Sequence, residues 1–566
     1  MSEEYKQNHS FTRRKATSKN IVNSSLWAAA GDSLGWISEL VNGRMGLERR
    51  IGSQRLSKPV AWSRIVGGRG GPKVALPAGT YSDDTQLRLA VSRSIRGNGF
   101  FDVENFAKIE LTVWPSYALG GGVGTKTAAQ NLAKRTVNWF NNFYSTGRQS
   151  YFSSGGNGAA MRIQPHVWSS CGNRSEDEIL LDVLKDSLVT HGHPHGFCGA
   201  IFHAKALLDI LLYRKIPDAR DWRRYIESFS TIPQLINMDS QLSSFWLAEW
   251  ERNNELSLIN SIYKCQEEIL NDLDRITAAF QGNKEKTYKN ILELTGCLTD
   301  RYRGSGVKTA LVSAALAYIY QSDNIEDALI CAANEIDSDT DTIASMCGAL
   351  LGAYSEHELT WPLQDRDYLI SESTRLANIG RASNQNSFEY PKIQSWIPPY
   401  KQNDAVVRVD NDFALVGLGM LTTIDERYYE ANNACWQWFA LPFGQTILAK
   451  RKSDRIREIH KSQLPDFAFT TKTINSEVRK ENDVNNDSLS KTDVIAMQRD
   501  LFEKEDDPRD WLDKITDVVI NSNFDDAVLG RMLNECINKT QSVQMAVSFS
   551  AIVAKAKIVR QRKNKE

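Results

Sequence analysis

Residues 338–356 read Ser338-Asp339-Thr340-Asp341-Thr342 and then, without a break, IASMCGALLGAYSE. Small and apolar residues at helical spacing mark a buried helix, and its first turn carries a cluster of oxygen donors. Far upstream, Tyr81-Ser82-Asp83-Asp84-Thr85 opens a second helical pattern, QLRLAVSRSI. A single Ser or Asp at a helix start caps free backbone N–H groups. Asp339, Asp341 and Thr342 at one start, with Ser82, Asp83 and Asp84 at the other, exceed what the orphan amides need. Hard oxygens at that density suit Mg²⁺ or Mn²⁺, so the pair predicts a two-metal hydrolytic site.

Two further stretches belong with these. Gly31-Asp32-Ser33-Leu34-Gly35-Trp36-Ile37-Ser38-Glu39 places Asp32 and Glu39 seven residues apart, about two turns, on one helical face. That face is small and apolar, so Glu39 is either a surface residue near a helix end or a group that meets a cation or substrate. In Ser154-Gly155-Gly156-Asn157-Gly158-Ala159-Ala160-Met161-Arg162 the glycines free the backbone to approach a ligand and to turn successive N–H groups toward an anion. An ordinary turn before a helix is the alternative reading of that stretch.

The chain has 566 residues, 41% hydrophobic and 24% charged, with a net charge of -1. Such a balance gives no global pull toward nucleic acid or anionic membrane. Eight cysteines without a Cys-x-x-Cys pair fit buried thiols in a reducing compartment. The first residues lack the apolar stretch of a signal peptide, and no uninterrupted apolar run reaches the length of a bilayer span. A cytoplasmic protein without a membrane partner is expected. The fold class expected is mainly all-α. Residues 1–18 read as disordered and 19–385 as a compact multi-helix domain, with 214–300 as an insertion or lid. Proline-rich 386–403 reads as a linker, 404–452 as a small β-rich or α+β module, 453–495 as flexible, and 496–566 as a helical segment with a basic tail. WSRIVGGRGGPK, at 62–73, reads as a surface loop.

In order along the chain, Gly31-Asp32-x-x-Gly35 with Glu39, Tyr81 to Thr85, Gly156 to Arg162, Thr190-His191 and Asp339 to Thr342 resemble the ADP-ribosylglycohydrolase family over about 20–380. The resemblance implies a compact all-α domain with two Mg²⁺ or Mn²⁺ ions, held at Ser82, Asp83, Asp84, Asp339, Asp341 and Thr342. It implies catalytic roles for Glu39, Asp83 and Asp341, and substrate contacts at Asp32, Gly156, Asn157, Gly158 and His191. The function implied is metal-dependent removal of ADP-ribose from a modified protein or nucleic acid, by cleavage at the anomeric carbon of ribose. Asp337-Ser338 stands where the family usually has Gly-Gly, which leaves a non-catalytic ADP-ribose reader as the second function class. Partner or dimer contacts are expected through the C-terminal third.

Two decoys are set aside. Gly120-Gly121-Gly122-Val123-Gly124-Thr125-Lys126-Thr127 lacks the Gly directly before Lys that a phosphate-binding P-loop requires; a glycine-rich turn before a helix accounts for it. His191, His193, His195 and His203 lack the spacing of a structural zinc site.

Overall fold

Thr17 and Asn20 form a reciprocal cap that starts the Ser18–Ser38 helix. Nearly all of that helix is buried, as expected of one apolar or small on every side. The computed structural model describes residues 17–68, 70–147, 149–170, 174–280, 282–465, 508–540 and 543–563.

The Ser18–Ser38 helix packs antiparallel against the Thr340–Tyr354 helix in steps of four residues. A Cβ on Gly35 would fall 2.2 Å from the Thr340 carbonyl oxygen, one on Gly31 2.2 Å from that of Ala344, one on Gly348 2.3 Å from that of Trp27, and one on Gly352 2.6 Å from that of Asn23. Four glycines thus let two backbones touch. Two side-chain bonds fix the register, Thr340 Oγ1 to the Gly35 carbonyl at 2.8 Å and Ser24 Oγ to the Ala349 carbonyl at 2.7 Å. Gly348→Ala should force the pair apart and cost about 3 kcal/mol, since overpacking against backbone has no side chain to move aside. Urea denaturation would measure it; an unchanged midpoint would refute the account.

Around this pair stand the Asp83–Ser94, Pro194–Tyr213, Gly306–Ile319 and Arg366–Ile379 helices. Pro194–Tyr213 is long and apolar enough to cross a membrane by length and composition, although the sequence shows no uninterrupted apolar run of that length. Most of its residues are buried in the core, where Gly199 lies against the backbone of Gly306. Residues 103–118 do not form one regular helix: the chain widens to a π-turn at Phe106–Glu110. Lys108 there donates to the carbonyls of Leu132, Lys134 and Val137, and Glu110 pairs with buried Arg93 at 2.7 Å. Residues 258–295, within the expected insertion, hold two helices, Leu258–Thr277 and Lys284–Thr295.

The expected loop at 62–73 is instead part of an antiparallel hairpin, β1 (Trp62–Ile65) with β2 (Lys73–Leu76). Strands of four residues are too short to show alternation, and the glycines between them read only as a turn. Farther on, β3 (Val406–Val409), β4 (Asp412–Leu415) and β5 (Gly419–Met420) form one antiparallel sheet. A second comprises β6 (Thr422–Ala431), β7 (Ala434–Ala440) and β8 (Thr446–Lys452). The helical domain and the small β module therefore match the expected fold class. The stretch at 386–403 is pinned by Tyr390 to Glu110 (2.6 Å) and by Trp396 to the Lys108 carbonyl (2.7 Å).

Residues 1–16 and 466–507, which include most of the stretches read as disordered or flexible, lie outside the described residues. The Pro508–Asn521, Asp526–Thr540 and Val543–Lys563 helices belong to a separate unit, cored by Leu512, Ile515, Val519, Phe524, Cys536, Phe549 and Val553.

Candidate active site

The antiparallel pair brings the C-terminal end of one helix to the N-terminal end of the other. Glu39 is the C-cap residue of Ser18–Ser38 and Asp339 the N-cap of Thr340–Tyr354. The Asp339 side chain makes no capping bond, so this aspartate does not serve the free amides of its own helix. Asp341 and Thr342 follow in the first turn, both buried.

The third helix end is held there by Asp32. Its Oδ1 accepts from the Ser82 N–H at 2.9 Å, and its Oδ2 from the Thr85 N–H at 2.9 Å and the Thr85 hydroxyl at 2.6 Å. Arg88 extends the network to Thr85 (2.7 Å) and Ser345 (3.1 Å). Asp32 is fully buried and both its oxygens are occupied, which places it behind the Ser82–Thr85 turn as an anchor. Asp32→Asn would set an amide N–H₂ against those donors. It should weaken divalent-ion binding about 10–100-fold, the usual cost of losing an outer-shell partner, as read by Mn²⁺ titration. Unchanged affinity would reduce Asp32 to a fold residue.

Ser82, Asp83 and Asp84 are buried, and Thr342 Oγ1 lies 3.4 Å from Asp84 Oδ2. Burial pushes the Asp83 carboxyl up to about 7, with Glu39 and Asp32 adding to the rise and Lys126 opposing it. Burial likewise raises Asp84 well above the carboxylate range, helped by Asp32, Asp83 and Asp339. Asp341 is raised by burial and then by Glu39, Asp339 and Asp84. Glu39 is also raised by burial, against the pull of Arg64, whose Nη1 is 3.3 Å from Oε2. The structure thus brings Glu39, Asp83, Asp84, Asp339 and Asp341 within one another's electrostatic reach.

Concentrated negative charge in a buried place calls for a counter-ion. Buried Asp84 Oδ1 accepts no hydrogen bond from the described residues, which leaves this oxygen available to a cation. Among the described residues no three carboxylate, imidazole or thiol groups are gathered closely enough to ligate one ion by themselves. Mg²⁺ asks for less, being held through one or two carboxylates with water completing its shell. The donor set of carboxylates with Ser82 and Thr342 hydroxyls therefore fits a hard divalent cation.

The glycine stretch lies on another side. Gly156 bridges to Ser305, the Asn157 N–H donates to the Gly304 carbonyl at 2.9 Å, and the Gly306 N–H to that of Gly155 at 3.0 Å. Arg162 is buried and holds the turn, donating to the Gly158 carbonyl (2.9 Å) and to Asp186 (2.8 Å). His191 lies beside Gly156 and Gly158 and is fixed through Thr190 at 2.7 Å. Burial, reinforced by Arg162, lowers its pKa to about 3, so it is neutral at ordinary pH. A cavity of about 600 Å³ opens here, with Gly155, Gly156, His195, Glu268, Tyr302 and Gly304 in its wall. A Cβ on Gly304 would be 3.6 Å from Asp339 Oδ2, so one residue of the cavity wall neighbours the carboxylate group. Glu268 comes from the Leu258–Thr277 helix, within the expected insertion or lid.

Three contributors escape the sequence reading. Arg64 sits on β1 and pairs with Glu39, but a four-residue strand gave no sign of it. Lys126 lies in the field of Asp83. Gly120, at φ 117°, brings its backbone so close to Asp83 that a Cβ would be 2.3 Å from Oδ1. The last two belong to the stretch dismissed as a P-loop; a glycine run beside a lysine was the available signal. Asp337 is exposed, and Ser338 closes a turn onto the Glu335 carbonyl (2.7 Å), so the departure from Gly-Gly adds no carboxylate to the buried group.

Residues 15–371 match the ADP-ribosylglycohydrolase family. ADP-ribosylhydrolase ARH3 of Xenopus tropicalis is 26% identical over 308 residues, spanning 52% of this chain and 79% of that protein. The ADP-ribosyl-(dinitrogen reductase) glycohydrolase of Rhodospirillum rubrum is 26% identical over 169 residues, 30% of this chain and 50% of that protein. An ADP-ribosylglycohydrolase-related protein complex aligns at a TM-score of 0.39 and 18% identity, covering 64% of this chain and 98% of its own. With more than half its length matched, the chain belongs to the ADP-ribosylglycohydrolase family.

Proposed function

We propose that the protein is a divalent-metal-dependent hydrolase that removes ADP-ribose from a modified macromolecule. The observation that carries this reading is the convergence of five carboxylates from three helix ends, with the buried Asp84 oxygen left without a donor among the described residues. Ser82, Asp83, Asp84, Asp339, Asp341 and Thr342 would hold two Mg²⁺ or Mn²⁺ ions. Once bound, these supply Lewis acidity to the ribose hydroxyls and to water.

The chain's own residues supply the rest. The cavity walled in part by Gly156 takes the ADP-ribose moiety, with Asn157, Gly158 and neutral His191 beside Gly156 as the further substrate contacts. Departure of the acceptor leaves positive character on the ribose ring, which the surrounding carboxylates favour. Glu39 is the proton-transfer residue: its side chain is partly exposed, at 21%, and burial holds its carboxyl above the usual range, as general acid–base catalysis near neutrality requires. Water adds to the anomeric carbon as the bond to the acceptor breaks; Glu39 takes the water proton and returns one to the departing acceptor, so the carboxylate is restored and no net proton is gained or lost. Asp83 and Asp341 carry the negative charge nearest the reaction, while Asp32 positions Asp83 and Asp84.

Purified protein incubated with arginine-, serine- and nucleic-acid-linked ADP-ribose, with and without Mg²⁺ or Mn²⁺, tests the reading. Metal-dependent release of free ADP-ribose from at least one of them is expected. Tight ADP-ribose binding with no release from any would replace the hydrolase by a reader.

A further inference from the structure

The turn between β7 and β8 enters the helical domain. Its Gly444, at φ 100°, passes so close to Tyr368 that a Cβ would be 3.3 Å from the tyrosine Cβ. Phe443 packs on the rings of Tyr368 and Phe388, with centroids 5.4 Å away in each case. Gln445 is fully buried and accepts from Arg93 Nη1 at 2.7 Å. Arg93 stands in the last turn of the Asp83–Ser94 helix, whose first turn presents Asp83 and Asp84. The β module begins beyond residue 371, where the family match stops, so the match does not include this turn.

At the other end of that helix the same turn reaches Tyr81 through Asp365. Thr446, the first residue of β8, donates its N–H to Asp365 Oδ2 at 2.8 Å and its hydroxyl to Oδ1 at 2.7 Å. Tyr81 donates its hydroxyl to Asp365 Oδ2 at 2.6 Å. Asp365 is the N-cap residue of Arg366–Ile379 yet its side chain makes no capping bond, and its φ of 55° is left-handed. That conformation costs energy in any residue but glycine, and the bonds to Thr446 and Tyr81 offset it. Gln364 closes the bracket: its side-chain amide donates to the Thr446 hydroxyl at 2.9 Å, and its N–H to the Gly79 carbonyl at 3.1 Å. Tyr81 is buried and directly precedes Ser82, so a fixed Tyr81 hydroxyl fixes the chain that enters the Ser82–Thr85 turn. Asp32 holds that turn from one side; Tyr81 ties it from the other. We infer that Thr446 is a positioning residue for the carboxylate centre: acting through Asp365 and Tyr81, it fixes the Ser82–Asp84 turn in the place a divalent ion requires. The inference rests on the metal reading above and makes the β module a working part of the site. Without the Thr446 hydroxyl, Asp365 Oδ1 loses its donor, and a carboxylate free to rotate no longer holds Oδ2 on the Tyr81 hydroxyl.

Two readouts on the full-length protein test this: Mn²⁺ titration followed by paramagnetic resonance of the free ion, and hydrogen exchange across residues 80–86. Thr446→Val should weaken Mn²⁺ binding about tenfold, the lower end of what losing an outer-shell partner costs. It should also speed exchange of the Ser82 and Thr85 amides, and Thr446→Ser, which keeps the hydroxyl, should restore both. Tyr81→Phe cuts the same relay at its other end and should cost as much. Combined with Thr446→Val it should add little, because the two residues act through one carboxylate. Val407→Ala removes buried bulk from β3, in the module's other sheet; it should lower the melting temperature and leave Mn²⁺ affinity unchanged. The inference is overturned if Thr446→Val matches the wild type in both readouts, or if Val407→Ala costs as much Mn²⁺ affinity. A wild type that binds no Mn²⁺ would sink the metal reading, and exchange alone would then decide: faster in Thr446→Val upholds the positioning, unchanged refutes it. Thr446-dependent Mn²⁺ binding without hydrolysis of any substrate would uphold the inference while the hydrolase reading fails.

Discussion

Asp341→Asn is expected to lower metal-dependent release of ADP-ribose by at least about 10³-fold, the scale of losing a principal electrostatic contributor. Asp341 lies in the first turn of Thr340–Tyr354 and is held above the carboxylate range by burial, Glu39, Asp339 and Asp84. Asparagine keeps the shape and removes the charge, so the loss would not come from collapse of the fold. The same substitution relieves repulsion in the metal-free protein and should raise its melting temperature. Lower activity with higher metal-free stability is a signature that general damage cannot imitate. Wild-type release by the variant would remove Asp341 from the centre.

Metal and pH should act together on stability. Asp83, Asp84 and Asp341 have folded pKa values raised above their ordinary ones, Asp83 to about 7. Between the ordinary carboxylate range and the raised value the folded protein binds more protons than the unfolded chain, so metal-free stability falls as pH rises through that window. A divalent ion must displace those protons, and its binding strengthens in the same direction. At pH 7.5 an ion at 100 times its Kd should add about 2.7 kcal/mol. At pH 5.5 the increment should be distinctly smaller. Calorimetric scans at the two pH values, with EDTA or with Mn²⁺, would show it; a metal-induced shift that is absent, or the same at both, would count against a carboxylate site.

How much of this was legible in the sequence varies with the length of the signal. The Thr340–Tyr354 helix and its acidic first turn were readable because fifteen residues, small or apolar on every face after the first turn, suit the interior of a helical core and little else. The Ser82–Asp84 turn was readable through its doubled carboxylates. Asp32 was visible as an acidic residue, but its role was not: spacing places it on a face with Glu39, while only three-dimensional packing reveals that both oxygens are taken up by Ser82 and Thr85. Arg64 was hidden because β1 has four residues, too few for a period of two to stand out. Lys126 and Gly120 were visible but assigned to a turn, since a local pattern cannot say which distant carboxylate it will face.

The glycine-lined helix pair also acts as a gauge for the chemistry. Glu39 ends one helix and Asp339 and Asp341 begin the other, so their separation is set by which residues of the two backbones touch. Sliding one helix by a single residue would carry Asp341 about 1.5 Å along the axis and about 100° around it, out of reach of Glu39 and Asp84. Thr340 and Ser24, bonded across the pair, are therefore the pins of a vernier: they lock the register in the core, and by doing so they set the spacing of charges at its end.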